Sequence, residues 1–214
     1  VWHIDRATGH LQRSVLSPKE RQRALAYQSA GARRRFIWMR AALRCLLGEV
    51  LGVQPEAIEF EANAYGKPSL RAPSFASRRC SFSVSHSGGL GAILILDACP
   101  SGRGACSSSA SSMSAAPVGV DLERHRRRPF RALARRFFLP SEDAALRQAA
   151  ASADDPASAD DVAGDGVDNG ARSAHEAAAF FEMWTKKEAW LKALGVGLDS
   201  AGPGLRGLDC AALG

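Results

Sequence analysis

Residues 100–116 are almost all Ser, Ala and Gly, with Met113 the only large apolar side chain, and a stretch with nothing to bury cannot carry a hydrophobic core across itself. It therefore reads as a flexible linker that divides the 214-residue chain into an N-terminal half, residues 1–99, and a C-terminal half, residues 117–214. A second such stretch, residues 151–174, is rich in Asp, Ala and Gly and reads as an acidic, flexible insertion within the second half. The chain as a whole is 46% hydrophobic, enough for a folded protein. Its length suits one large domain or two small ones, and the linker favours two halves.

The first half alternates periods. Val1 to Ile4 reads as a short strand. Ser17, Pro18 and Glu20 supply an N-cap, an N1 proline and an N3 glutamate, so a helix runs from there to about Gln28. Phe36, Met39, Leu43, Leu46, Leu47 and Val50 recur at spacings of three and four, which predicts a second helix over residues 33–51, ended by Gly52, with Arg33, Arg34, Arg40 and Arg44 on its other face. Residues 58–62 suit a strand, and Tyr65-Gly66-Lys67-Pro68 is a turn. Ser81–Val84 and Leu90–Leu96 read as strands around a Ser-His-Ser-Gly-Gly connection, the second of them wholly apolar and so central in its sheet.

The second half opens with a strand over residues 117–123, followed by helices over about 130–138 and 140–150. Residues 175–194 form a further helix on the spacing of Phe180, Phe181, Trp184, Leu191 and Leu194, with Gly195 as its C-terminal stop.

The net charge of +6 is uneven. Residues 1–79 carry 14 basic against 6 acidic side chains, and residues 119–149 carry 8 against 4. Residues 150–176 reverse the balance, with 1 against 7. A basic body with one acidic segment suits a polyanionic partner, whether nucleotide, nucleic acid or acidic protein surface. The five cysteines are scattered and form no C-x-x-C pair, which argues against a disulfide framework or zinc knuckle and fits a reducing cytoplasm. No stretch is apolar over the roughly 20 residues a membrane span needs, and no signal-peptide core opens the chain, so a soluble protein is expected.

In Val118-Gly119-Val120-Asp121-Leu122-Glu123 a strand's period of two puts Asp121 and Glu123 on one face, about 7 Å apart along it. Such a pair can hold a hard divalent ion beside substrate phosphates, although by itself it equally describes the solvated face of an edge strand. On the last helix Trp184, Glu188, Leu191 and Lys192 share one side, which alone is an ordinary i,i+4 surface pair beside an aromatic anchor.

Together, V-G-V-D-L-E and, some 60 residues later, W-T-K-K-E-A-W-L-K resemble the paired signature of the 4′-phosphopantetheinyl transferases of the surfactin-synthetase type. Tyr65-Gly66-Lys67-Pro68, Phe82-Ser83-Val84-Ser85-His86-Ser87 and Arg136-Phe137-Phe138 with Glu142 are similar, in the same order, to three further segments of that family. Ser83 departs from its commoner Asn.

The resemblance implies an α+β fold of two pseudo-twofold-related halves, each a small sheet packed with helices, with coenzyme A bound between them. It implies an enzyme that transfers phosphopantetheine from coenzyme A to a serine of an apo acyl or peptidyl carrier protein, with release of 3′,5′-ADP. Asp121, Glu123 and Glu188 would hold Mg²⁺, Glu188 would take the serine proton and Lys192 would contact the phosphates. Lys67, Ser85 and His86 would bind the nucleotide end, with Arg23 and one or more of Arg33, Arg40 and Arg44 adding positive charge. A monomer would suffice, since both halves lie in one chain.

Three rivals stand beside this reading. A nucleic-acid-binding protein would explain the pI of 9.4 and the runs at Arg33–Arg35 and Arg124–Arg128, but no helix-turn-helix, zinc finger or aromatic platform accompanies them. A nuclease using the carboxylates alone leaves Lys67 and His86 without a reason. The third rival is an impaired relative. The chain opens without Met on a strand already under way, and it stops about 20 residues after the last helix, where the family continues through further strands.

Overall fold

The computed structural model describes residues 2–3, 13–71, 80–97, 116–125, 130–151, 168–197 and 205–209. All of the linker but Ala116 and most of the acidic insertion fall outside these residues. The elements are β1 (Trp2–His3), α1 (Pro18–Leu25), α2 (Ala30–Leu51), β2 (Phe60–Ala62), β3 (Pro68–Leu70), β4 (Cys80–Ser87), β5 (Leu90–Asp97), α3 (Phe130–Phe137), α4 (Pro140–Ala151) and α5 (Asp168–Leu194), with single 3₁₀ turns at Pro55–Ala57 and Leu205–Gly207. The architecture is α+β. Among the described residues no helix is long and apolar enough to cross a membrane.

The local signals of the first half act as expected. Ser17 accepts from Glu20 N while Glu20 Oε2 accepts from Ser17 N, the reciprocal pair that starts α1. Ser29 caps α2, and Gly52 closes it at φ 69°, a left-handed conformation that a side chain disfavours. β5 lies in the middle of an antiparallel sheet of order β1-β5-β4, and β2 and β3 form a separate hairpin.

Strand alternation gives β4 two unlike faces. Phe82 and Val84, with Ile93 and Ile95 of β5, meet Leu43, Leu47, Leu51 and Ile58, so α2 covers that face. Leu43 and Leu47 are fully buried, each contributing about 2 kcal/mol by burial. Ser81, Ser83, Ser85 and Ser87 line the other face, toward residues 116–125.

The second half gathers Ala134, Phe138, Leu146, Phe180, Phe181, Trp184, Leu191 and Leu205 into its own core. Lys187 lies wholly inside it. Its ammonium meets Glu142 at 2.6 Å and donates to Leu205 O and Leu208 O at 2.7 Å each, so one buried cation joins α4, α5 and the 205–208 turn. Arg44 plays the same part in the first half: it is 2% exposed, pairs with Glu20 at 2.8 Å and donates to Pro55 O and Ile58 O. Of the arginines expected to face a polyanion, this one is a structural clamp.

Several expectations are corrected. β4 runs through Ser87, so the Ser-His-Ser stretch is strand and not connection; its serines alternate with apolar residues because both faces are covered. β3 has no counterpart among the expected strands. α5 begins at Asp168 rather than near 175: Asp168, Asn169 and Gly170 are weak helix formers that hide its first two turns in the sequence, and the helix that follows propagates back through them. Residues 117–123 are extended but belong to no β-ladder, and among the described residues the second half contains helices and no strand.

Replacing Lys187 with Met should cost about 3 kcal/mol, since Glu142 is then left buried without its cation. Lys187→Met with Glu142→Leu should recover part of that loss. Chemical denaturation of the three proteins measures both.

Candidate active site

Residues 116–125 are positioned by side chains on one flank and by a helix on the other. Ser83 Oγ accepts from Val120 N at 3.1 Å, Ser85 Oγ from Leu122 N at 3.1 Å and Ser87 Oγ from Arg124 N at 2.9 Å. The residue numbers rise together on both sides, so the segment runs parallel to β4, with hydroxyls where a neighbouring strand would offer carbonyls. Opposite, Gly119 lies against α5 so closely that an added Cβ would sit 1.7 Å from Ala189 O. No other residue type fits there.

Asp121 and Glu123 emerge from this segment. Ser85 Oγ donates to Asp121 Oδ1 at 2.9 Å and Ser87 Oγ to Glu123 Oε2 at 3.1 Å. Lys192, from the last turn of α5, bonds Asp121 Oδ1 at 2.5 Å and Ser85 Oγ at 2.9 Å. Glu188, one turn earlier, has its carboxyl pushed up by burial first, then by the charges of Asp121 and Glu123, with Lys192 opposing. A raised acid of this kind leaves the fold most stable below its unfolded pKa and costs stability as pH climbs through the folded value.

The donor set fits a hard cation. Asp121 Oδ2 is buried and has no hydrogen-bond partner, and three carboxylates lie within Coulombic reach of one another. Among the described residues they do not converge as a set of three ligands on one point, and Lys192 is the cation paired with Asp121. Their electrostatic coupling extends beyond ligand distance.

Around the free edge of β4 are two adjoining cavities that share Gly66, Pro68 and Val84. The larger, about 280 Å³, lies on the α2 side and is lined by Arg23, Tyr27, Arg35, Phe36, Arg40 and His86 among others. Arg40 is 3.9 Å from Glu20, yet its Nη1 is buried without an acceptor, as is Arg33 Nε. Burial lowers the Arg40 pKa, partly offset by Glu20. His86 is also held below its ordinary value by burial, then by Arg35 and Lys192, with Glu123 opposing, so it is neutral at pH 7 and senses both cavity and carboxylates. The smaller cavity, about 230 Å³, is lined by Tyr65, Lys67, Phe82, Ser83, Lys192 and Val196 among others.

The structure thus brings Asp121, Glu123, Glu188, Lys192 and Ser85 into one cluster, with His86, Arg23 and Arg40 across β4 from it. Lys67 is placed differently. Its ammonium donates to Ala193 O at 2.9 Å and Val118 O at 3.4 Å, capping the end of α5. Asn63 completes that junction, accepting from Tyr65 N and Lys67 N and donating to Gly195 O at 2.7 Å. Arg33 donates to Tyr27 O. Sequence reasoning misses Tyr27, Arg35, Asn63, Ser83 and Ser87 as contributors to the site. Alternation along β4 is a signal for the two serines, whereas nothing local distinguishes Arg35 from its arginine neighbours.

Residues 117–212 match the profile of the 4′-phosphopantetheinyl transferase superfamily, and residues 1–95 match that of the 4′-phosphopantetheinyl transferase N-terminal region. The chain is 31% identical over 203 residues to the 4′-phosphopantetheinyl transferase HetI of Nostoc sp., an alignment covering 92% of this chain and 69% of HetI. It is 27% identical to the 4′-phosphopantetheinyl transferase gsp of Aneurinibacillus migulanus, over 91% of this chain and 62% of gsp. With the phosphopantetheinyl transferase of a Thraustochytrium species it shares 26% identity, over 92% of this chain and 58% of the relative. The chain thus spans between 58% and 69% of the length of these relatives. Profiles that match both halves and a relative above 30% identity along nearly the whole chain place this protein in the 4′-phosphopantetheinyl transferase family of enzymes.

Proposed function

We propose that this chain transfers the phosphopantetheine group of coenzyme A to a serine of an apo acyl or peptidyl carrier protein, in the manner of the surfactin-synthetase type. One observation carries the reading: two buried polar atoms without partners flank β4, one an acceptor at Asp121 Oδ2 and one a donor at Arg40 Nη1. A diphosphate with a bound cation satisfies the first, and a phosphate on the ribose satisfies the second.

In this reading residues 1–99 supply the nucleotide side. Arg40, Arg23 and Arg35 hold the 3′-phosphate, and an arriving dianion draws a proton onto His86, which burial, then Arg35 and Lys192, keep neutral beforehand. Tyr65 to Pro68 form the wall between the two cavities. Lys192, already on Ser85 and Asp121, turns its ammonium to the diphosphate. Mg²⁺ held by Asp121, Glu123 and Glu188 would supply positive charge to the diphosphate oxygens as negative charge builds there. Glu188 takes the proton of the carrier serine while the serine oxygen bonds to phosphorus. The bond from that phosphorus to the nucleotide oxygen breaks, and 3′,5′-ADP leaves. The basic body steers acidic carrier domains. We further assign the protein to the cytoplasm as a monomer, with 117–214 as a second half related to the first by a pseudo-twofold.

Incubated with coenzyme A, Mg²⁺ and an apo carrier, the protein should add the mass of one phosphopantetheine group, and chelator should abolish the gain. A folded protein that modifies none of several carriers counts against the reading.

Arg40→Ala should raise KM for coenzyme A roughly 10- to 100-fold, the worth of a charge-assisted hydrogen bond. With 3′-dephospho-coenzyme A the variant and the parent should differ little. An equal penalty on both substrates would place Arg40 elsewhere than at the 3′-phosphate.

In the metal-free protein Glu188 should titrate above the ordinary glutamate range. Asp121→Asn, by removing one of the raising charges, should lower that midpoint, as should added Mg²⁺. Carbon-detected NMR of the carboxyl reports it, and a midpoint indifferent to both changes would separate Glu188 from the cluster.

A further inference from the structure

The transferase reading assigns chemistry to Asp121 and Glu123 but leaves open what holds their backbone in place, because the segment that carries them belongs to no ladder among the described residues. Successive hydroxyls of β4 take its alternate amides: Ser83 takes Val120 N, Ser85 takes Leu122 N and Ser87 takes Arg124 N. Ser81 Oγ extends the row by donating to Ala116 O at 2.6 Å. The spacing of two on each side lets every tooth of this comb engage.

A comb of identical teeth specifies register only to within two residues, and a slip of two would put Glu123 where Asp121 stands. The remaining ambiguity is removed on the other flank. Only Gly119 can lie against the Ala189 carbonyl, where a Cβ would come within 1.7 Å, so neither Pro117 nor Asp121 can take its place. Comb and glycine together leave one register.

We propose that Ser83 and Ser87 are positioning residues for the transfer reaction: they hold the amides of Val120 and Arg124 and thereby set Asp121 and Glu123 against Glu188 and Lys192. This rests on the transferase reading. Ser83 bonds neither carboxylate and is 5% exposed, so its effect on them passes through the backbone, although it also lines the smaller cavity. Ser87 also donates to Glu123, and it therefore acts by two routes. The arginine cavity is reached from the opposite face of β4, through Val84 and His86, and does not depend on the comb.

The test compares Ser83→Ala, Ser87→Ala and Ser83→Asn with the parent. Each alanine variant should lower kcat about tenfold, as a displaced reacting group does, while KM for coenzyme A changes less than about twofold. Ser83→Asn should restore most of kcat, since its carboxamide oxygen can accept from the same amide. Hydrogen exchange supplies a reading free of activity: Val120 N–H should lose protection in Ser83→Ala and Arg124 N–H in Ser87→Ala, while β5 amides keep theirs. Unchanged protection would overturn the comb. Lost protection with unchanged kcat would overturn its positioning role, as would a loss confined to KM. Should the parent itself modify no carrier, the transferase reading fails and the role in transfer with it, while exchange still decides whether the comb exists.

Discussion

The candidate site depends on how one extended segment, residues 116–125, satisfies its backbone. A run of amides in a partly buried position must find acceptors, because each one left bare costs about 1–3 kcal/mol. Here the acceptors are side chains, the serines of β4, and the tight approach of Gly119 to α5 closes the other side. Elements distant in sequence are thereby locked together at the place where the chemistry is. Asp121 comes from the segment, Ser85 from β4, and Glu188 and Lys192 from α5.

The charges around β4 are arranged as complements awaiting a ligand. Carboxylates gather on one face, where burial first and then the charge of Asp121 hold the Glu188 carboxyl above its ordinary value. Guanidinium groups gather on the other, where burial lowers the His86 pKa and Arg35 lowers it further. Each group alone is unfavourable, and Lys192 is the only cation that the described residues place directly on Asp121. A ligand carrying a cation at one end and a phosphate at the other relieves both faces together. The coenzyme A proposed for this site would be such a ligand.

Arginine and lysine of the same signatures meet different fates. Arg44 and Lys187 look in sequence like their neighbours Arg40 and Lys186, yet both are buried clamps whose donors are taken by Glu20 or Glu142 and by backbone carbonyls. Lys186 pairs with Glu182 at the surface. Which cation faces a ligand is thus a matter of helix rotation and local partners. Net charge could say only that an anion suits the protein.

Much of the fold is legible in the sequence because its signals are local. The capping box of α1, the apolar period of α2, the apolar run of β5 and the helices of the second half each follow from a few adjacent residues. The D-x-E and K-E-x-x-x-K spacings are equally legible, and family resemblance joins them. What local pattern cannot supply is which backbone edges lie free. Residues 117–123 have a strand's alternation and lie beside β4 but join no ladder, since hydroxyls of β4 stand in for its backbone carbonyls; Ser85 to Ser87 read as a connection and are strand. Lys67 sits in a turn whose composition is plain, yet only the approach of that turn to Gly195 directs its ammonium toward the carbonyls of α5. Sequence alone determined most of the elements and many of the residues able to do this chemistry, because capping, periodicity and charge act within a few residues. Tertiary structure decided which of those residues meet, because that depends on hydrogen bonds and close contacts between segments up to 132 positions apart.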